Sequence, residues 1–350
     1  MKTKLRAFIK KVYYGIDLYL IRMSVKSSIT AALYYMIFNR SFFREQISVL
    51  SGRLKYYDSF EQQKGNSSPL LRRNIHRLEK GLIMRPMRKV FAKDYILETV
   101  NEYIRVSDID SIGTDEKQWA KDVLVKYFSN VDLVGSVLHA HKRLVSIGFF
   151  DDLEVGHNQI SMSPYPRNTA KLSNVTYSDF NRLCVQRRSV RWFKDKKVDP
   201  RVLEHAVNSA SLAPSACNRQ PYSFYHFEGA EAVKIASYAM GTTGFAQNIP
   251  SLVVLVGDLS AYPFERDRHI IYIDGSLAAM SFMLALETLG LSSCPINWPD
   301  IETRERKMDK HLKLEKHQRA IMLIAVGEAL EEGKIPFSQK KSSDILLRNN

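Results

Sequence analysis

Three arginines crowd one short stretch of the chain, "VQRRSVRWF", residues 185–193. Arg187, Arg188 and Arg191 lie within two residues of Ser189 and beside the bulky aromatics Trp192 and Phe193. Like charges this close repel, so the cluster is costly unless something anionic sits among them. Guanidinium groups suit phosphate, and they can also hold electron density at one end of a reducible ring. About a helix further on comes "LAPSACNRQPYSFY", residues 212–225, where Pro214 and Pro221 bracket a loop holding Ser215, Cys217, Asn218, Arg219 and Gln220. The Asn and Gln amides each offer donors and an acceptor. Such groups suit a flat heteroaromatic ring with imide and ring-nitrogen edges.

The elements around these stretches read as α+β. Ser178 is placed to cap a helix that runs through Phe180, Leu183 and Cys184 into the arginines. Asp199-Pro200 is a cap followed by a first-turn proline, and it opens a helix that Pro214 closes. "YSFYHF", "SLVVLVGD" and "AIMLIAVGE" read as strands, the last two buried. Between those two, Asp274 is the expected cap of "GSLAAMSFMLALETLGL", a helix apolar nearly all round that stops at Gly290. Apolarity on every face predicts burial on every face, and in a small domain that calls for a partner subunit.

The first half of the chain has a different texture. Residues 2–24 predict an amphipathic helix, with Leu5, Phe8, Ile9, Val12, Tyr13 and Ile16 at helical spacing among lysines and arginines. Asp17 and the lack of a small-residue cleavage site argue against a signal peptide. The apolar run 29–38 is far short of the ~20 residues that span a bilayer. Residues 61–70 read as a linker, and 70–104 as a basic helix interrupted near Arg85-Pro86 that then resumes. His76, Lys80 and Arg73 share a face there, either a solvated basic face or a grip for an anion. Residues 114–147 are helical by periodicity, and the loop-like 156–174 marks a boundary between regions 1–174 and 175–350.

The formal net charge of +14 is concentrated at one end. Residues 1–90 hold 19 Lys and Arg against 5 Asp and Glu, while the remainder balances at 32 of each. That asymmetry predicts an anionic partner for residues 1–90, a membrane surface or a polyanion. No nucleic-acid-binding module is recognisable, so nucleic acid is the weaker expectation. Three scattered cysteines, Cys184, Cys217 and Cys294, form no metal or disulfide spacing and predict a reduced, cytoplasmic setting with each thiol buried as a small hydrophobe.

Taken together, "RRSVRWF", "APSACNRQPYSF" and "DGSLAAMSFMLALETLGLSSCPINW" resemble the nitroreductase superfamily of FMN-dependent oxidoreductases, over residues 176–345. The resemblance implies an α+β fold with a mostly antiparallel sheet flanked by helices, preceded here by a mainly helical region. It also implies a homodimer with FMN at the interface. Arg187, Arg188 and Ser189 would hold the phosphate and ribityl chain, with a guanidinium near the flavin N1 and O2 edge. Arg191 would either assist or pair with Asp195. Pro214, Ser215, Asn218 and Gln220 would face the isoalloxazine from across the dimer. The backbone around Pro295, Ile296 and Asn297 would face N5, and Lys340 or Lys341 would complete the phosphate site. The implied activity is electron transfer from NAD(P)H through FMN to an organic acceptor, with no side chain acting as nucleophile. A flavin-binding protein with a mainly scaffolding role at a membrane or complex is the alternative. Where many members have small glycines, this chain has Asn297-Trp298, which predicts a tryptophan reshaping the pocket at the flavin edge.

Overall fold

The computed structural model describes residues 2–59, 66–151 and 161–348. The first half of the expected linker 61–70 and the start of the expected boundary loop 156–174 lie outside the described residues. At the C-terminal side, four strands form one antiparallel sheet in the order β1-β2-β4-β3. They are β1 (Tyr222–Glu228), β2 (Ser251–Asp258), β3 (Ser292–Asn297) and β4 (Gln318–Gly327). Alternation along the two central strands feeds two cores. Leu252, Val254, Leu323 and Ala325 pack with Val190, Phe193 and Trp298 on one face. Val253, Leu255, Ile324 and Val326 pack with Phe282 and Leu286 on the other. A strand buried on both faces loses the polar alternation of a surface strand, which is why "SLVVLVGD" reads as a continuous apolar run.

Helices cover both faces. α8 (Tyr177–Gln186) leads into the arginine segment, and α9 (Pro200–Ser211) packs along α11 (Ile270–Thr288). α10 (Gly229–Ala236) and α12 (Glu302–Leu312) lie with the Trp298 core. Asp199 caps α9, its carboxylate accepting from Arg201 N–H, with Pro200 in the first turn as expected. α8 is capped by Thr176 rather than Ser178, because Thr176 and Asp179 close a reciprocal capping box. α11 begins at Ile270, so Asp274 sits inside the helix, 3% exposed, and is not its cap. The helix does end at Gly290, whose φ of +80° glycine adopts without steric cost.

Among its described residues the N-terminal half has no strand, and its α-helices are α1 (Lys2–Ser24), α2 (Ser28–Ile37), α3 (Phe43–Asp58), α4 (Pro69–Leu82), α5 (Ile96–Ser107), α6 (Thr114–Phe128) and α7 (Gly135–Val145). Ser68 and Pro69, expected as the end of a linker, are the N-cap and first residue of α4. α4 to α7 bury their own core, with Leu71, Ile75, Leu78, Ile96, Val100, Leu124, Tyr127 and Leu144 all fully buried. α3 packs instead on the C-terminal unit. Val49 shares a core with Leu259, Ala261, Tyr262 and Ile271. Gly52 is required by that contact, since a Cβ there would lie 2.7 Å from Leu259 Cβ and 2.8 Å from its backbone. Arg44 adds ion pairs to Glu302 at 2.7 Å and Asp309 at 2.6 Å, and Arg53 donates to the Pro263 carbonyl at 2.9 Å. Packing therefore crosses residue 174. A short α13 (Ser343–Leu346) ends the described chain.

Candidate functional site

The arginine segment leaves α8 at Arg187, the C-cap, and runs beside the start of β3. Val190 N–H donates to Ser293 O at 3.1 Å, and Ser189 forms a bridge with Ser293. Phe193 is 3% exposed and bridges Ala329, and Lys194 N–H donates to Glu328 O, so the stretch is pinned on both sides of its charges. Arg187, Arg188 and Ser189 are half-buried. Arg191 turns over the Phe245 ring at 5.7 Å and donates to Ser189 O, and it makes no ion pair with Asp195. Burial pushes the Cys294 thiol above its ordinary range, against the opposing pull of Arg191, the Ser189 hydroxyl and Arg187. Cys294 is buried as expected, whereas Cys184 and Cys217 are only half-buried.

Polar atoms at this end are left without partners. Arg187 Nε, Ser293 Oγ and Glu287 Oε1 are buried and unbonded. Each such group costs about 1–3 kcal/mol; Arg219 Nε and the Tyr222 hydroxyl near the amide loop, and Glu305 Oε2 and Arg319 Nε near Trp298, are likewise without partners. Glu287 is held by Gln186 Nε2 at 3.2 Å, and burial raises its carboxyl while Gln186 and Arg187 lower it. Three guanidinium groups against one carboxylate leave a local charge of +2, which matches a phosphate monoester carrying about −1.5 to −2.

The amide loop is built differently. Cys217, Asn218 and Gln220 all have positive φ, near +50°, an uncommon conformation for residues with a Cβ. The loop is held by bonds from three directions. Ala216 N–H donates to buried Asp274 Oδ2 at 2.9 Å, and Gln220 N–H donates to Ser215 Oγ at 3.2 Å. Gln220 Nε2 donates to Ser211 O at 2.7 Å. The third direction is α4: Arg72 donates to Asn218 O at 2.6 Å and to Gln220 Oε1 at 3.0 Å. Both polar atoms of the Gln220 amide are thus engaged within the chain, while Pro214 is exposed and Ser215 and Asn218 are half-buried. Arg72 is itself fixed by Glu116 at 2.9 Å and by the Trp119 ring at 5.4 Å.

Within one chain the two segments do not meet. The loop is tied to α11 at Asp274 and the arginines to α11 at Glu287, thirteen residues along the same helix. At 1.5 Å per residue that is about 20 Å. Along this helix Ile273, just before Asp274, and Leu277 and Met280, between the two tethers, are exposed at 53%, 44% and 39%. Pro295, Ile296 and Asn297 lie on β3 beyond the arginine bridge, with Ile296 buried and Asn297 exposed. Lys340 and Lys341 stand exposed on the C-terminal extension, with no side-chain bond to the arginine segment. Trp298 does not line an open edge: it is 6% exposed, and its Nε1 donates to Glu305 at 2.8 Å inside the core. That packing replaces the expected pocket-narrowing role. Among the described residues no cluster of His, Cys, Asp and Glu could hold a metal ion.

The order of these segments along the chain is also that of a known family. The sequence model of the Nitroreductase family matches residues 184–244 and 232–328. A protein of Archaeoglobus fulgidus named as an NADH dehydrogenase/NAD(P)H nitroreductase is 32% identical over 124 residues, covering 35% of this chain and 67% of that protein. This chain belongs to the nitroreductase family. A Bacillus subtilis protein named as an NAD(P)H nitroreductase, YdgI, is 25% identical over 197 residues, 45% of this chain and 92% of its own length. Among solved structures, an FMN-dependent nitroreductase from Clostridium difficile R20291 aligns at 23% identity and a TM-score of 0.41, covering 48% of this chain and 98% of that one. The family match begins at residue 184, so Arg72 and the helices before it lie outside it. Sequence reasoning missed Arg72 as a support of the loop; the only signal was a basic helix, which does not show where one arginine will reach.

Proposed function

We propose that this chain, an oxidoreductase of the nitroreductase type, binds FMN and carries electrons from NAD(P)H to an organic acceptor. The observation that carries the reading is the unspent polarity at the arginine end of α11: three buried atoms without partners under a local charge of +2. When bound, FMN supplies the two-electron relay between nicotinamide and acceptor. Arg187, Arg188 and Ser189 hold the phosphate and the polyol chain. The β3 backbone around Pro295–Asn297 borders the ring. In this reading the site is shared by two copies. The loop with Ser215 and Asn218 stands about 20 Å along α11 from the arginines of its own chain, so the partner's loop covers them once α11 pairs through Ile273, Leu277 and Met280.

Purification, an absorbance spectrum and identification of the released flavin form the test. The expected result is yellow protein with FMN at about one per chain, bleached by NADH or NADPH without air. A colourless chain that takes up no added FMN overturns the reading.

A further inference from the structure

The first two helices have no assignment in this chemistry. α1 and α2 pack mainly on each other as a hairpin. The hairpin presents an unusual number of apolar side chains to solvent. Leu5, Ile9, Val12 and Ile16 line one face of α1 at 60%, 57%, 46% and 55% exposure. On α2, Leu33 and Ile37, one turn apart, are exposed at 43% and 58%. Contiguous apolar surface of this kind is rare on a free soluble protein and marks an interaction site. Tyr13, Tyr14 and Tyr19 are also exposed, and such side chains favour the boundary between headgroups and hydrocarbon.

Charge says what covers the face. Residues 1–40 contain eight Lys and Arg and a single carboxylate, Asp17. Asp17 is turned inward, where it accepts the Tyr34 hydroxyl at 2.6 Å. The outer surface of the hairpin is therefore apolar and cationic with no free acid, and Arg6, Lys11, Arg22 and Lys26 are exposed on it. A second copy of the hairpin would bring the same positive charge to the contact. Nucleic acid would leave the apolar face in water. An anionic lipid surface satisfies both properties.

Neither helix spans a bilayer. α2 is ten residues, about 15 Å, and α1 carries too many charges. Among the described residues the segment long and apolar enough to cross is Glu265–Thr288, and it contains α11, packed on α9 and the sheet. We propose that the α1–α2 hairpin lies flat on an anionic lipid leaflet, its apolar face among the acyl-chain ends and its basic residues against lipid phosphates. This inference is independent of the flavin site.

Co-sedimentation of the full chain tests it, with vesicles of equal parts phosphatidylcholine and phosphatidylglycerol against phosphatidylcholine alone. We expect pelleting with the anionic vesicles, weak pelleting with the neutral ones, and release as salt rises. Val12→Glu with Ile16→Glu should lower the partition about tenfold or more, because two buried apolar side chains are lost. Arg6→Glu with Lys11→Glu should do so as well, through charge. All four side chains are exposed, so circular dichroism should be unchanged. The proposal is overturned by equal partition onto both vesicle types, by either double variant binding as the parent does, or by binding to a polyanion without binding to vesicles. Lipid-free oligomers beyond a dimer that Val12→Glu with Ile16→Glu disperses, with no vesicle binding, would assign the face to a second copy instead.

Discussion

The two ends of α11 differ in how their polar atoms are spent. At the Asp274 end the loop is held within its own chain, Ala216 on Asp274, Gln220 on Ser211 and Arg72, Asn218 on Arg72, while Arg219 Nε and the Tyr222 hydroxyl stay buried without a hydrogen-bond partner. At the Glu287 end, Arg187 Nε, Ser293 Oγ and Glu287 Oε1 have none. The loop end is braced by internal bonds, and the arginine end gathers positive charge around its unpartnered atoms. The loop, with three residues at positive φ, stands at the opposite end of α11 from its own arginines. The contrast is what the proposed two-copy site rests on: within one chain the loop and the arginines lie about 20 Å apart along α11.

The sharpest way to break this comparison is to keep both ends and stop two copies from meeting. Leu277→Glu places a charge in the middle of the exposed α11 stripe. A monomer with little or no retained flavin is expected, read by sedimentation and by the flavin absorbance of the same sample. A monomer that binds FMN as tightly as the parent would show that one chain suffices.

The next largest effect should come from Arg72→Ala. It strips a donor from Glu116, from the Asn218 carbonyl and from Gln220 at once. Breaking a buried ion pair on one side costs about 3–5 kcal/mol, and the Ser67 and Ser68 bonds that Glu116 keeps put this case near the lower end. Thermal unfolding should show the loss, and Arg72→Lys should recover only part of it because a compact ammonium cannot span the three acceptors that the separate Nε, Nη1 and Nη2 reach. If Arg72→Ala melts as the parent does, the loop is held by its own bonds and the N-terminal bundle is not its support.

At the arginine end the effect should fall on the ligand and not on the fold. Arg188→Ala should weaken FMN binding by about 2–3 kcal/mol, the scale of a lost charge-assisted bond, with little change in melting of the flavin-free protein. Flavin titration of both proteins decides it. Unchanged affinity would move the phosphate elsewhere, and Lys340 and Lys341 on the C-terminal extension would be the next residues to replace.

How far the sequence spoke depends on the distance over which each feature is determined. The Asp199-Pro200 helix start, the run "SLVVLVGD" and the stop at Gly290 are set by neighbouring residues and were legible. Asp274 misled because an acid before an apolar run reads as a cap, whereas its carboxylate serves the distant Ala216 N–H. Trp298 misled because its position beside Asn297 suggested an edge, while Glu305 on α12 draws it into the core. Gln220 was read as facing a ligand, yet two residues far from it in sequence or across the loop engage its amide. The loop's separation from the arginines depends on the length of α11 between two side-chain bonds, which no local pattern records.

The smallest expected effect concerns how the N-terminal half is fastened to the rest, and pH exposes it. Arg44 on α3 reaches Glu302 on α12, and its hydrogen bond, together with a lesser one from Arg306 on the same helix as Glu302, lowers the Glu302 carboxyl from 4.5 to about 2. A carboxylate with a lowered folded-state value stabilises the protein above its unfolded value and loses that contribution as pH falls through the folded one. The contact should therefore be fully present above about pH 5, weaken below the ordinary 4.5 and be gone by about 2. Glu302 is 49% exposed, so solvent screening limits its share to about 1 kcal/mol or less. Glu302→Gln should flatten the fall in melting temperature across that window and leave neutral pH nearly unchanged. Arg44→Ala should do more at every pH, because it also frees Asp309. If the Glu302→Gln and parent curves run parallel down to pH 2, α3 is held by Val49 and the close Gly52–Leu259 contact, and the ion pair adds nothing measurable.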